Sequence, residues 1–187
     1  MKKVLLIVST LFLIHSSFAQ KLAEITWFGI DFSQAKMVGS AGFTDPAKIQ
    51  SYYLNVWNSV LITESDKYDI AKYYGAAKVK VSLDVVKKAN DEVNADELVT
   101  DNTYSLSESD AQQGIQKYVG QGNGTGLVYI VEYFSKSEEL ASIYVIQFDI
   151  SSGAISKMKK LTGKTNGFGF RNYWLGAIEK VMKKRLK

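Results

Sequence analysis

Gly163-Lys164-Thr165 stands between an alternating apolar run and a C-terminal amphipathic stretch, the order in which a phosphate-binding loop joins strand to helix. Such a loop also needs a glycine five positions before Gly163, so that backbone N–H groups can wrap the phosphate, and Met158 stands there. What the residues still allow is a looser anion site. Gly163, Gly167 and Gly169 leave N–H groups open near a helix start, and Lys164 and Arg171 add positive charge. The plainer account is that these glycines turn the chain from strand to helix. Gly122-Asn123-Gly124-Thr125-Gly126 follows a helix and precedes a strand, the wrong order for a helix N-terminus to meet an anion, so it reads as a helix end and turn.

Carboxylates offer the other chemistry. Asp31 and Glu132 interrupt apolar runs, and a buried carboxylate is costly unless paired, so each is expected at a strand end or beside a cation such as Arg171. Two carboxylates at the right separation can also act as acid and base in glycoside cleavage. A hydrolase of cell-surface carbohydrate or lipid is therefore the alternative function. Asp91-Glu92 and Asp96-Glu97 lack the alternating ligands and glycine of a calcium loop and read as a solvated acidic patch. The tail cations Lys180, Lys183, Lys184, Arg185 and Lys187 complement the dipole of a final helix.

The census narrows the chemistry further. The sequence holds no cysteine and one histidine, His15, which falls in an N-terminal export pattern. That pattern has Lys2 and Lys3 as its positive region, Val4 to Ile14 as its apolar region and Ser17-Phe18-Ala19 as a small-x-small cleavage site. A mature domain over residues 20–187 then has neither Cys/His nucleophilic pairs nor the Ser-His-Asp triad, and no metal or cofactor is expected. It is expected in the periplasm or secreted, without a transmembrane anchor. Losing Lys2 and Lys3 takes the formal charge from +4 to +2, which gives nucleic-acid binding no support.

These groups must be held by a single domain. Leu22 to Phe32 and Leu127 to Phe134 are apolar on both faces and read as strands central in a sheet. Val79, Val81, Leu83 and Val85 alternate with polar residues, giving a third strand with one wet face. Ile143 to Ile150 and Ala154 to Leu161 flank Ser151-Ser152-Gly153 as a hairpin. Asp45-Pro46 opens one helix, Ser107 with Asp110 caps a second, and Tyr173 to Val181 stripes a third. Asp69 to Tyr74 is a helical turn or a link, and Lys87 to Asn102 a connection with a short strand at Leu98-Val99. The expected fold is α/β (α+β), with a mixed, mostly antiparallel sheet of about five strands and three helices packed on it.

Gly29-Ile30-Asp31-Phe32-Ser33, Phe148-Asp149-Ile150 and Gly167-Phe168-Gly169-Phe170-Arg171-Asn172-Tyr173-Trp174 resemble segments of a family of exported Bacteroidetes proteins. That resemblance runs over most of the mature chain and brings no catalytic residues with it. The element order, with its late hairpin, is also similar to periplasmic α/β domains of the curli-secretion and Tol-assembly type, although the lipid-anchoring cysteine common among them is missing. What this second likeness implies is partner binding at the cell envelope.

The leading expectation is a non-enzymatic binding domain for an envelope protein or a small anionic ligand. Its site is expected where the end of the first strand, Asp31 and Ser33, meets the last strand-to-helix turn, with Lys164, Phe168, Arg171 and Asn172.

Overall fold

Two runs that are apolar on both faces form the centre of the sheet, because only a strand covered on both sides can bury them. The computed structural model describes residues 22–184 and 186, so the expected export segment (1–19) and Arg185 and Lys187 of the tail lie outside the described residues. β1 (Leu22–Asp31) and β5 (Thr125–Ser135) run parallel, from Ile25 opposite Thr125 to Asp31 opposite Ile130. Trp27 of β1 enters one core and meets Tyr129 of β5 edge-on, while Phe28 enters the other and packs on Tyr118 and Phe148.

The other strands extend this pair. β3 (Ala76–Val81) lies parallel to the outer edge of β1. β6 (Leu140–Asp149) and β7 (Ile155–Lys164) add successively as antiparallel strands on the far side of β5. Beyond the end of β1, β2 (Lys36–Val38) takes its place against the last residues of β5, and β4 (Val99–Thr100) pairs with β2, both in parallel.

The expectation of about five mostly antiparallel strands with three helices is thereby corrected. Among the described residues seven strands form the sheet, and four of the six strand pairings are parallel. Strands of three and two residues are too short to show a period of two, which is why β2 escaped notice and β4 lies one residue past the expected Leu98-Val99.

Helices are also more numerous, with six helical bodies among the described residues besides a single 3-10 turn at Ser40–Gly42. The first is a continuous rod of α1 (Pro46–Lys48), a π turn (Ile49–Tyr53) and α2 (Leu54–Thr63), begun by Asp45, whose carboxylate accepts from the Lys48 N–H at 3.0 Å. α3 (Ile70–Tyr74) is capped by Asp69 at one end and left-handed Gly75 at the other. α4 (Asp84–Asp91) and α5 (Ala95–Leu98) occupy what read as strand and connection. α6 (Glu108–Gly114) starts on the Ser107–Asp110 cap and tightens into a 3-10 turn, Ile115–Tyr118. α7 (Gly169–Lys184) is last.

The rod of α1 and α2, with α3 and α7, covers one face over Trp27, Phe32, Trp57, Phe134 and Trp174. On the other face α4 and α6 cover Phe28, Val86, Ile115, Tyr118 and Ile146.

The junction of α4 with β1 explains why the alternating valines do not continue as a strand. β3 leaves the edge of β1 after Trp27, and a bulge follows at Gly29, φ +103°, so Ile30 and Phe32 lose their strand neighbour. Two buried asparagines replace it. Asn58 of α2 accepts from the Ile30 N–H and donates to the Ile30 carbonyl, while Asn90 of α4 accepts from the Phe32 N–H and donates to the Ile30 carbonyl. Val86 and Asn90, four apart on α4, are its buried residues, and a Cβ on Gly29 would stand 2.5 Å from the Asn58 Oδ1. The strand edge is thus closed by side-chain amides, as an unpaired buried backbone requires.

Candidate functional site

Parallel strands whose connections run over opposite faces leave a crevice beyond their carboxyl ends, and the boundary of β1 and β5 is such a point. From β1 the chain crosses under the rod of α1 and α2 on one face, and it reaches β5 through α6 on the other. At this point the last residue of β1, Asp31, is 0% exposed. Its Oδ1 accepts from the Ser33 N–H at 2.8 Å, and its Oδ2 accepts from the Tyr118 hydroxyl at 2.7 Å and from Lys117 Nζ at 2.9 Å. Lys117 also donates to the Ser33 Oγ at 2.7 Å. Burial, and then the charge of Asp31, push the Tyr118 phenol well above its usual range, which keeps it a donor.

Asp31 was expected at a strand end or beside a cation such as Arg171; it ends β1 and the cation beside it is Lys117, not Arg171. Arg171 is exposed, its Nε donates to the neighbouring Asn172 Oδ1 at 3.0 Å, and its carbonyl accepts from Trp57 Nε1 across the opposite core. The 3-10 turn after α6 presents Lys117 and Tyr118 to Asp31 instead. Ser33 and Lys117 line an open depression of about 570 Å³, together with Lys88 and Glu92.

Glu132 is the other interior carboxylate, in the irregular stretch of β5 between Val131 and Tyr133. Its Oε1 accepts from the Leu106 N–H at 2.9 Å and Lys160 Nζ at 2.7 Å, and its Oε2 from the Ser142 hydroxyl at 2.6 Å. Burial alone would lower the Lys160 ammonium, but the bonds to Glu132 and Tyr144 outweigh it and raise the group. Every oxygen of Asp31 and Glu132 therefore already accepts from a protein donor. Each is buried and paired with its own lysine, Asp31 with Lys117 and Glu132 with Lys160.

Of the remaining expected residues, Lys164 ends β7, and Phe168, Arg171 and Asn172 lie at the start of α7, which packs on the face opposite Tyr118. Gly163 is inside β7 and so stands apart from the turn, and the N–H groups of Thr165 and Asn166 are bonded to the carbonyls of Glu139 and Tyr173. Lys164 Nζ donates to the Glu138 carbonyl at 2.7 Å. Gly167 and Gly169, with φ of +117° and +78°, push Phe168 outward between them until it is 96% exposed.

Beside it, Phe170 packs on Tyr53 with ring centroids 4.8 Å apart, and Tyr53 on Tyr52 at 5.0 Å. A small hollow of about 230 Å³ opens there, lined by Asp45, Lys48, Tyr53 and Phe170. The aromatic surface thus joins the α7 start to the π turn. Its signal in the sequence was Tyr52-Tyr53: two adjacent aromatics on a helix cannot both face the core.

Asp149 of the resembling Phe148-Asp149-Ile150 segment serves the hairpin. The hydroxyls of Ser151 and Ser152 and the Ser152 N–H donate to it and hold its carboxyl down at about 2. Among the described residues no three His, Cys, Asp or Glu side chains gather as a metal site, and no helix is long and apolar enough to cross a membrane. No family model, curated protein or solved structure matches this chain.

Proposed function

We propose that the chain is a non-enzymatic binding domain, exported to the periplasm or beyond, that docks on a partner protein of the cell envelope by burying Phe168. The observation that carries this reading is the 96% exposure of Phe168 between two left-handed glycines. A lone exposed aromatic is costly to keep in water and unrelated to the core, but it is the kind of anchor that fills a pocket on a partner and dominates the binding energy. Tyr52, Tyr53 and Phe170 give the contact an aromatic surround, and Asp45, Lys48 and Arg171 supply a rim of both signs. That mixture suits a protein surface better than an anionic membrane. The hydrolase alternative has less support, because both interior carboxylates are buried and bonded to protein donors.

The test is a photo-crosslinking residue placed at position 168 in the native host, with position 66 on the exposed turn after α2 as control. A discrete adduct at 168, absent at 66, is expected. Phe168→Ala should leave the melting temperature unchanged while weakening capture of the same partner by at least about tenfold, as loss of an anchor does. Equal labelling at both positions would remove Phe168 as the contact.

A second reading is a small anionic ligand beside Ser33 and Lys117, favoured by the lysines that line that depression. A rise in melting temperature with added carboxylate or phosphate compounds, lost in Ser33→Ala, would select it.

A further inference from the structure

β7 is the last strand of the sheet on its side, and its outer edge is paired with no strand among the described residues. The inner edge pairs with β6 from Leu140 opposite Lys164 to Phe148 opposite Ile155, with one irregularity at the Phe148 end. The free edge is therefore a nearly regular row of backbone donors and acceptors ten residues long, roughly 33 Å. Proteins keep such edges from associating by shortening them, by proline, by bulges or by charge; Ile155–Lys164 is ten residues long without proline, bulges only at Ser156, and carries lysines, which repel a like strand but not an acidic one.

Charge marks the same edge. Lys157, Lys159, Lys160 and Lys164 lie on β7 without an acidic residue among them. Glu132 neutralises Lys160 alone. Lys157 and Lys164 reach only carbonyl oxygens, of Leu186 and Glu138. α7 brings Lys180 against Gly163, with Lys184 one turn further on, while Glu179 is taken up by Lys183. Among the described residues, Lys157, Lys159, Lys164, Lys180 and Lys184 thus have no carboxylate partner beside the open strand edge.

We propose that this edge accepts an extended acidic segment of a partner protein, which adds to the sheet as an eighth strand. Backbone pairing supplies affinity, and carboxylates on alternate residues of the added strand meet the lysines. A second copy of this chain is disfavoured as occupant, because β7 against β7 sets lysine opposite lysine. A polyanion without a strand-forming backbone would satisfy the charges and leave the edge open. The inference is independent of the role given to Phe168, and either can fail alone.

The test uses the purified chain and a fluorescent ten-residue peptide alternating Glu with Val and Thr. Controls are the same peptide N-methylated at alternate residues, which cannot pair, and a peptide with Lys in place of Glu. The acidic peptide is expected to bind, to slow hydrogen exchange of amides within 155–164, and to weaken at least tenfold on Lys157→Glu with Lys159→Glu. N-methylation should abolish binding, a readout that needs no variant to fold. Failure of the acidic peptide to bind, equal binding of the N-methylated form, or protection outside β7 would each overturn the proposal, the second of these by reducing the edge to a general polyanion patch.

Discussion

The fully buried carboxylate of Asp31, at the end of β1, lies 2.9 Å from Lys117 Nζ, contributed by the turn after α6 from 86 residues further along the chain. The pair ties the central strand to the helix on one face, while Arg171 on the other face touches neither residue.

Removing the cation while leaving the carboxylate buried is the expensive change. Lys117→Met should destabilise the fold by about 3 kcal/mol, because Asp31 keeps only the Tyr118 hydroxyl and the Ser33 N–H as donors. The double change Asp31→Asn with Lys117→Met should recover much of that loss, since no charge is then stranded. Arg171→Ala, at an exposed side chain bonded only to its neighbour, should stay within about 0.5 kcal/mol of the parent. Urea denaturation of the three variants decides; equal losses for Lys117→Met and Arg171→Ala would contradict the arrangement.

Asn58 closes the strand edge that β3 abandons, and its amide is saturated by Ile30 and Leu54. Asn58→Ala leaves the buried Ile30 N–H without an acceptor, at a cost of about 2–3 kcal/mol. Hydrogen exchange reports it locally: the Ile30 amide should exchange faster relative to that of Val128 in the sheet centre. An unchanged Ile30 amide would mean that the side-chain amide is not its acceptor.

The reach of the sequence follows from how far apart the interacting residues are. The β6–β7 hairpin, the Ser107 cap and the stripe of α7 rest on local spacing, and each was legible. β1 and β5 also carried the mark of buried parallel strands, apolar residues on both faces, but periodicity does not encode the direction in which two strands pair. The valines at 79, 81, 83 and 85 alternate as a strand should. What ends β3 at Val81 is the call on Asn90 and Val86 to close over Gly29, a tertiary demand. Lys117 carried no mark as the partner of Asp31, since only the fold brings them together. Phe168 stood among the candidate site residues, but its projection was not legible, because its exposure depends on the backbone of Gly167 and Gly169.

Three phenols should fail to ionise while the fold persists. Burial above all raises Tyr74, Tyr118 and Tyr129 above the usual value; Tyr118 also faces Asp31, whereas the bond from Tyr129 works the other way on Tyr74. A raised folded-state value means that the protonated phenol stabilises the fold fully below about pH 10, the unfolded value, and that this contribution is lost as pH rises beyond it. Absorbance at 295 nm should therefore show at least three phenols un-ionised until circular dichroism reports unfolding, with these ionising in that transition. Tyr118→Phe removes a donor from Asp31 and should lower stability at neutral pH by about 1–2 kcal/mol, while leaving two phenols to appear with unfolding. Gradual ionisation of all eleven tyrosines with the dichroism unchanged would show that the interior admits water at these rings.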